Sequence, residues 1–438
     1  VYAADGNGIV CPNKLQQQWA DAEIGVLFHF DMPTFKEDYE WRNFGSHPDP
    51  SVFNPSDLNT DQWLEAAKRL GAKYAILVAK HCSGFSLWPT DAHPYSVKSS
   101  SWMNGKGDVV KNFIASCHKY GIRPGIYAST SANGYLHVDN LKVQPGGPVT
   151  QDEYNKIVIK QLTELWSNYG QLFEVWFDGG LLAIDKGGAD VFSLLKRLQP
   201  NAIAFQGPFG YDNLIRWVGN EEGAAPYPCW ATADSTTNAN GCVTIEGLNG
   251  RAGAPYWCPG ESDCTLRLKS SYQGGWFWHK NQDNQLYQMD ELMKRYVTSV
   301  GRNTNMLLGI VIDDRGLVPD ADMKLITSYG NEIKRQFSHP YASKSGSGYR
   351  IDMKFKKAVS IDRVVVQEEI SKGERILSYH IIGLKGGKWI QLSTGSNIGH
   401  KHIDVFKPQK LTSLRLIIDE AKATPLIKTF AAFSSLHQ

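Results

Sequence analysis

Short apolar runs in this 438-residue chain end, again and again, on residues able to do chemistry. Asp178 follows the run 173–177 and precedes Gly179 and Gly180. A carboxylate beside two glycines sits where a ligand can come close to the backbone, although an Asp there can also cap a following helix. His29 and Asp31 close the run 25–30, and His81 closes 74–81. A lone His is often just a hydrogen-bonded partner, but two at neighbouring strand ends speak more strongly for a site. Glu221 and Glu222 follow the short run 216–220, which opens with Arg216 and Trp217. Further on come Glu261, Asp263 and Arg267, then the aromatic stretch 274–279 with Trp276 and Trp278. One Asp and one Glu at separate strand ends are enough for glycoside hydrolysis. One carboxylate attacks the anomeric carbon while the other protonates the leaving oxygen.

These residues need strands to carry them. Runs at 25–30, 74–81, 123–130, 173–180, 202–207, 216–220 and 305–311 alternate with amphipathic stretches such as 60–70 and 151–169. Short apolar strands separated by helices predict a parallel sheet, and seven or eight such units predict a (β/α)8 TIM-like barrel. No GxGxxG follows a strand and no GxxxxGK[ST] occurs, so a nucleotide-binding sheet lacks its motifs. Beyond residue 338 the pattern turns to alternating stretches divided by Gly-Gly and Lys-Gly turns. That texture predicts an all-β jelly-roll sandwich. The expected domains are therefore 1–337 (barrel) and 338–438 (sandwich), with 338–348 as linker or first loop.

Composition narrows the classes. Forty-six Lys and Arg against 44 Asp and Glu leave a net charge of +2, which provides no footprint for nucleic acid. No apolar window is long enough to span a bilayer. Thirteen Trp and 19 Tyr offer flat faces with polar edges, which suit sugar rings and also suit a large core. Cys11, Cys82, Cys117, Cys229, Cys242, Cys258 and Cys264 form no CxxC or zinc-like cluster. Buried thiols are the simpler expectation, with one or two loop disulfides between 229 and 264 as the other. An opening without Met leads us to expect an exported protein, periplasmic or extracellular.

The order of several motifs makes the resemblance specific. The segments 25–35, Glu40-Trp41, 79–90, 125–129, 175–180, 216–223 and 259–279 resemble the α-L-fucosidases of glycoside hydrolase family 29. The pieces around 216–221 and 259–263 are most similar to the branch acting on α-1,3/1,4-linked fucose of Lewis-type glycans. The carboxy-terminal part is similar to a discoidin-like sandwich, either a second carbohydrate site or a prop. The resemblance implies a retaining exo-enzyme with Asp178 as nucleophile and Glu221 as acid/base, Glu222 and Glu261 being rivals for the second role. It also implies fucose contacts from His29, Glu40, Trp41, His81, Tyr127, Trp176, Glu261, Arg267 and Trp276. Acceptor contacts are expected from Arg216, Trp217, Trp230, Trp257 and Trp278. At 81–85 many members carry a second His where this chain has Cys82, which cannot reproduce an imidazole's hydrogen bonds.

Such an enzyme needs no metal or organic cofactor, and its partner is a fucosylated oligosaccharide or glycoconjugate. Its nucleophile should be kept ionised by neighbouring His, Arg or N–H groups. Two other readings are a catalytically silent glycan-binding protein and a retaining glycosidase of other sugar specificity.

Overall fold

The computed structural model describes residues 3–436. Eight parallel strands close into a barrel in chain order: β1 (Ile24–His29), β2 (Tyr74–Lys80), β3 (Arg123–Ala128), β4 (Glu174–Trp176), β5 (Ile203–Phe205), β6 (Leu214–Trp217), β7 (Gly260–Thr265) and β8 (Thr304–Val311). β8 pairs back onto β1 from Ile24 opposite Met306 to His29 opposite Val311, which completes the ring. Almost every strand residue is buried because helices or loops cover the outside and side chains fill the lumen.

Helix α1 (Lys14–Ala22) precedes the barrel and closes its amino-terminal end. It starts at a capping box between Asn13 and Gln16, and Trp19 donates to Glu174 Oε2 inside the lumen at 3.0 Å. Helices α2 (Thr60–Leu70), α3 (Val109–Tyr120), α4 (Gln151–Ser167) and α5 (Val191–Leu198) follow the first four strands, and α6 (Met289–Ser299) and α7 (Asp320–Phe337) follow β7 and β8. The helix-strand alternation fails at two places. A loop of residues 206–213 without a helix joins β5 to β6, and residues 218–259 between β6 and β7 hold small two-stranded sheets but no helix. β6 also begins two residues before the run expected at 216–220.

α7 ends at Phe337, and a six-stranded antiparallel sheet begins at Ala342. It contains β9 (Ala342–Ser347), β10 (Arg350–Glu368), β11 (Ile376–Lys385), β12 (Lys388–Gly395), β13 (His402–Ala421) and β14 (Leu426–Phe433). The segment expected as linker thus contributes an edge strand. β10 and β13 run 19 and 20 residues because each joins two stretches that read as separate strands. Register shifts at 354/359 and 361/363 bend the pair, so the sheet folds over its own core of Val364, Leu414, Leu416 and Phe430.

All seven cysteines are free thiols, six of them buried and Cys82 partly exposed. Among the described residues no helix is long and apolar enough to cross a membrane.

Candidate active site

Alternation along a barrel strand sends every second side chain into the lumen. On β4 that stacks Glu174, Trp176 and Asp178 from the closed end to the open end. On β7 it stacks Glu261 beneath Asp263. The carboxy-terminal strand ends surround a cavity of about 340 Å3. Asp178, Glu221, Asp263, His29, His81, Tyr127, Trp176, Trp217 and Trp276 all line it.

Asp178 stands just past β4, and Gly179 and Gly180 follow at φ +74° and +78°. A Cβ on Gly179 would lie 3.0 Å from Ser131 Oγ, so this turn needs glycine both for its torsions and for its space. Ser131 Oγ donates to the Asp178 carbonyl at 2.7 Å, and Tyr127 Oη donates to Asp178 Oδ2 at 2.8 Å. Burial raises the Asp178 pKa above the ordinary aspartate value, and the Tyr127 bond works against it. The cationic neighbours expected around this carboxylate are missing. Burial pushes His81 down to about 4 and holds His29 well below its ordinary value, so both imidazoles are neutral. Tyr127 is thus what favours the anion.

The walls are aromatic. Trp176 stacks on Phe205 with centroids 3.8 Å apart, and Tyr127 lies over Trp176 at 5.3 Å. Trp276 packs against His29 at 4.9 Å, over Gly309 of β8, where any Cβ would strike the indole. Its Nε1 donates to Glu221 Oε2 at 3.1 Å, and Glu221 itself is exposed to solvent. Trp217 Nε1 donates to Asp263 Oδ1 at 2.8 Å. Asp263 is 3% exposed, and its pKa is raised well above normal by burial, then by the charges of Glu221, Glu261 and Asp178.

Several expected site residues lie elsewhere. Glu222 turns outward to Lys269 at 3.5 Å. Glu261 is wholly buried below the cavity, accepting from Tyr74 Oη and Trp176 Nε1, each at 2.7 Å. It lies beside Glu174, and burial raises both carboxyl pKa values toward a shared proton. Glu261 therefore supports the Trp176 indole from beneath and does not line the cavity. Arg267 is consumed by Asp322, at 3.0 and 2.7 Å, and by Asp283 at 2.7 Å. Arg216 donates to the carbonyls of Cys258, Trp230 and Leu248, tying the 218–259 insertion to β6. Trp230 and Trp257 are buried. Glu40 and Trp41 occupy the surface loop after β1, where Arg42 covers the Trp41 ring at 4.2 Å. In the other direction, Asp263, Phe205, Gln206 and Gln273 line the cavity without having been singled out as contacts. Alternation from Glu261 could have found Asp263, but nothing in the sequence marks the other three.

Known proteins share this fold. The family model described as "Alpha-L-fucosidase" matches residues 8–336. Alpha-L-fucosidase 1 of Arabidopsis thaliana is 32% identical across 95% of this chain and 86% of its own length. A solved structure from Bacteroides thetaiotaomicron VPI-5482, provisionally assigned as an alpha-L-fucosidase, is 36% identical. It superposes with a TM-score of 0.90, covering 97% of this chain and 99% of its own. A glycoside hydrolase 29 family member from an unknown rumen bacterium is 28% identical, with a TM-score of 0.83 over 98% of this chain and 78% of its own.

Proposed function

We propose a mechanism and a substrate class from one premise: this chain belongs to the alpha-L-fucosidase family, glycoside hydrolase family 29. The reaction is hydrolysis of a terminal α-L-fucoside by double displacement. Asp178 attacks the anomeric carbon while Glu221 protonates the departing glycosidic oxygen. Glu221, now the base, then takes a proton from the water that releases fucose. The observation carrying this reading is that, of the three carboxylates lining the cavity, Asp178 and Glu221 stand on strand-end loops while Asp263 lies within a strand. A leaving group must exit toward solvent, and Glu221 is exposed there, whereas Glu261 and Asp263 are buried in the lumen. Fucose, a 6-deoxy sugar, pairs its methyl with the Trp176–Phe205 wall and its hydroxyls with the neutral His29 and His81. Asp263, biased toward its protonated form, offers a further O–H donor.

Proton NMR of the first-formed sugar from an aryl α-L-fucoside tests the mechanism. The α anomer is expected first, and early β-fucose would exclude double displacement.

For linkage, we propose α-1,3/1,4-fucose on branched Lewis-type glycans, supported by the motifs at 216–221 and 259–263. Of the expected acceptor contacts, Trp217 lines the cavity, Trp278 is half-buried outside it, and Arg216, Trp230 and Trp257 are buried. Comparable kcat/KM on 2′-fucosyllactose and a Lewis trisaccharide would overturn the linkage proposal. The C-terminal sheet serves as a prop in this proposal, supported by its side chains holding backbone groups of the barrel insertion. Its discoidin-like character remains part of the proposal. Export to the periplasm or extracellular space also belongs to it, because large fucosylated glycans are met there. Cell fractionation tests that part.

A further inference from the structure

A second cavity, of about 870 Å3, adjoins the first and shares Gly179, Gln206 and Trp217 with it. It lies between the loops after β4, β5 and β6 and the hairpin formed by Ser235–Thr237 and Val243–Ile245. Twelve large hydrophobic side chains stand exposed among the described residues, and four of them line this one cavity. They are Ile184 (57% exposed), Leu248 (54%), Val243 (46%) and Phe209 (38%). Scattered exposed hydrophobics are ordinary, but a cluster around one concavity marks a binding surface.

Charge is scarce there. Arg216 spends its guanidinium on three backbone carbonyls, and Asp185 points to solvent beside Lys186. Leu248 sits at φ +62°, a left-handed torsion that costs a leucine, with its side chain against Gly219. Gly219 is two residues from Glu221, on the same loop. The apolar cavity therefore opens beside the proton donor, on the side where the leaving group departs.

We propose that this cavity binds the apolar aglycone of simple alkyl fucosides, and so gives the enzyme a second substrate class beside glycans. The inference rests on the fucosidase reading above. When the C1–O bond breaks, the oxygen takes the Glu221 proton and leaves as a lipophilic alcohol, while the fucosyl carbon bonds to Asp178.

The test is kcat/KM for n-alkyl α-L-fucosides from methyl to octyl, below their micelle concentrations. Each buried methylene is worth roughly threefold to fourfold, so a chain only partly buried gives an octyl-to-methyl ratio of about tenfold or more. The double substitution Ile184→Asp and Val243→Asp, at two exposed positions on separate segments, should bring that ratio down toward one. A ratio near one in the unaltered enzyme, or a high ratio that survives the double substitution, overturns the inference and leaves the fucosidase reading standing. Failure to hydrolyse any fucoside overturns both.

Discussion

At the scale of single residues, the state of the nucleophile depends on a phenol. Tyr127 Oη donates to Asp178 Oδ2, and no cation lines the cavity beside it. Donation to the charged form lowers a carboxyl pKa, so Tyr127→Phe should raise that of Asp178. Activity requires the ionised carboxylate, hence the acidic limb of the kcat/KM–pH profile should move to higher pH in the variant. An unmoved limb would mean that Asp178 does not govern it. Loss of the proton donor has a different signature. Glu221→Gln should depress turnover of substrates with poor leaving groups by about 10²–10⁴-fold, and azide should speed turnover of activated aryl fucosides, whose fucosyl-enzyme it attacks without a base. Glu222→Gln, altering a side chain that faces Lys269 at the surface, should stay near the unaltered rate. The residue-scale reading was legible where one side chain ends an apolar run, as Asp178 and His29 do. It went astray at Arg216 and Arg267, because a sequence does not reveal which buried carbonyl or carboxylate an arginine will meet.

At the scale of elements, β7 is the instructive case. Gly260–Thr265 contains two acids, a serine and a threonine, yet all six residues are buried. Hydrophobic patterning passes over such a strand, because its acids are satisfied inside the lumen by Tyr74, Trp176 and Trp217, and Ser262 on the outer face by Thr304. The seventh strand, with Asp263 on it, is therefore the part of the barrel least visible in the sequence. The sandwich strands erred the other way, since bulges let one long strand read as two. Just beyond β7, Arg267 locks to α7 through the buried carboxylate of Asp322. Removing one partner of such a pair strands the other charge. Arg267→Met should therefore cost about 3–5 kcal/mol of stability, measured by denaturant unfolding, with little change in KM on the folded fraction. A selective rise in KM without loss of stability would return Arg267 to the binding site.

At the scale of the whole molecule, the sandwich reaches the barrel through loops that end near the site. Asn397 exchanges bonds with the backbone of Cys229, and Glu374 accepts from the Ala231 N–H. Arg216 carries that anchorage from Trp230 to β6, beside the cavity. Nothing in the sequence announces this joint, because its partners lie about 140 to 170 residues apart. Burial raises Glu374 to about 7 and Glu368, behind it, to about 8. Carboxyls with raised folded-state pKa values favour the native state fully below their ordinary value, and that contribution fades as pH climbs through the folded value. The buried histidines work oppositely, but only below about 6.5, their ordinary pKa. Thermal stability should therefore decline from pH 6.5 to 8. A melting temperature that rises across that interval would show these carboxyls ionised and paired.

The account stands or falls on a covalent bond to Asp178. Incubation with 2-deoxy-2-fluoro-α-L-fucosyl fluoride, which forms the intermediate quickly and releases it slowly, followed by peptide mass spectrometry, reads that bond directly. We predict one fluorofucosyl group per enzyme, on the peptide containing Asp178, and none in Asp178→Ala. A label on Glu221, Asp263 or Glu261, or hydrolysis of fucosides by Asp178→Ala at the unaltered rate, would contradict it.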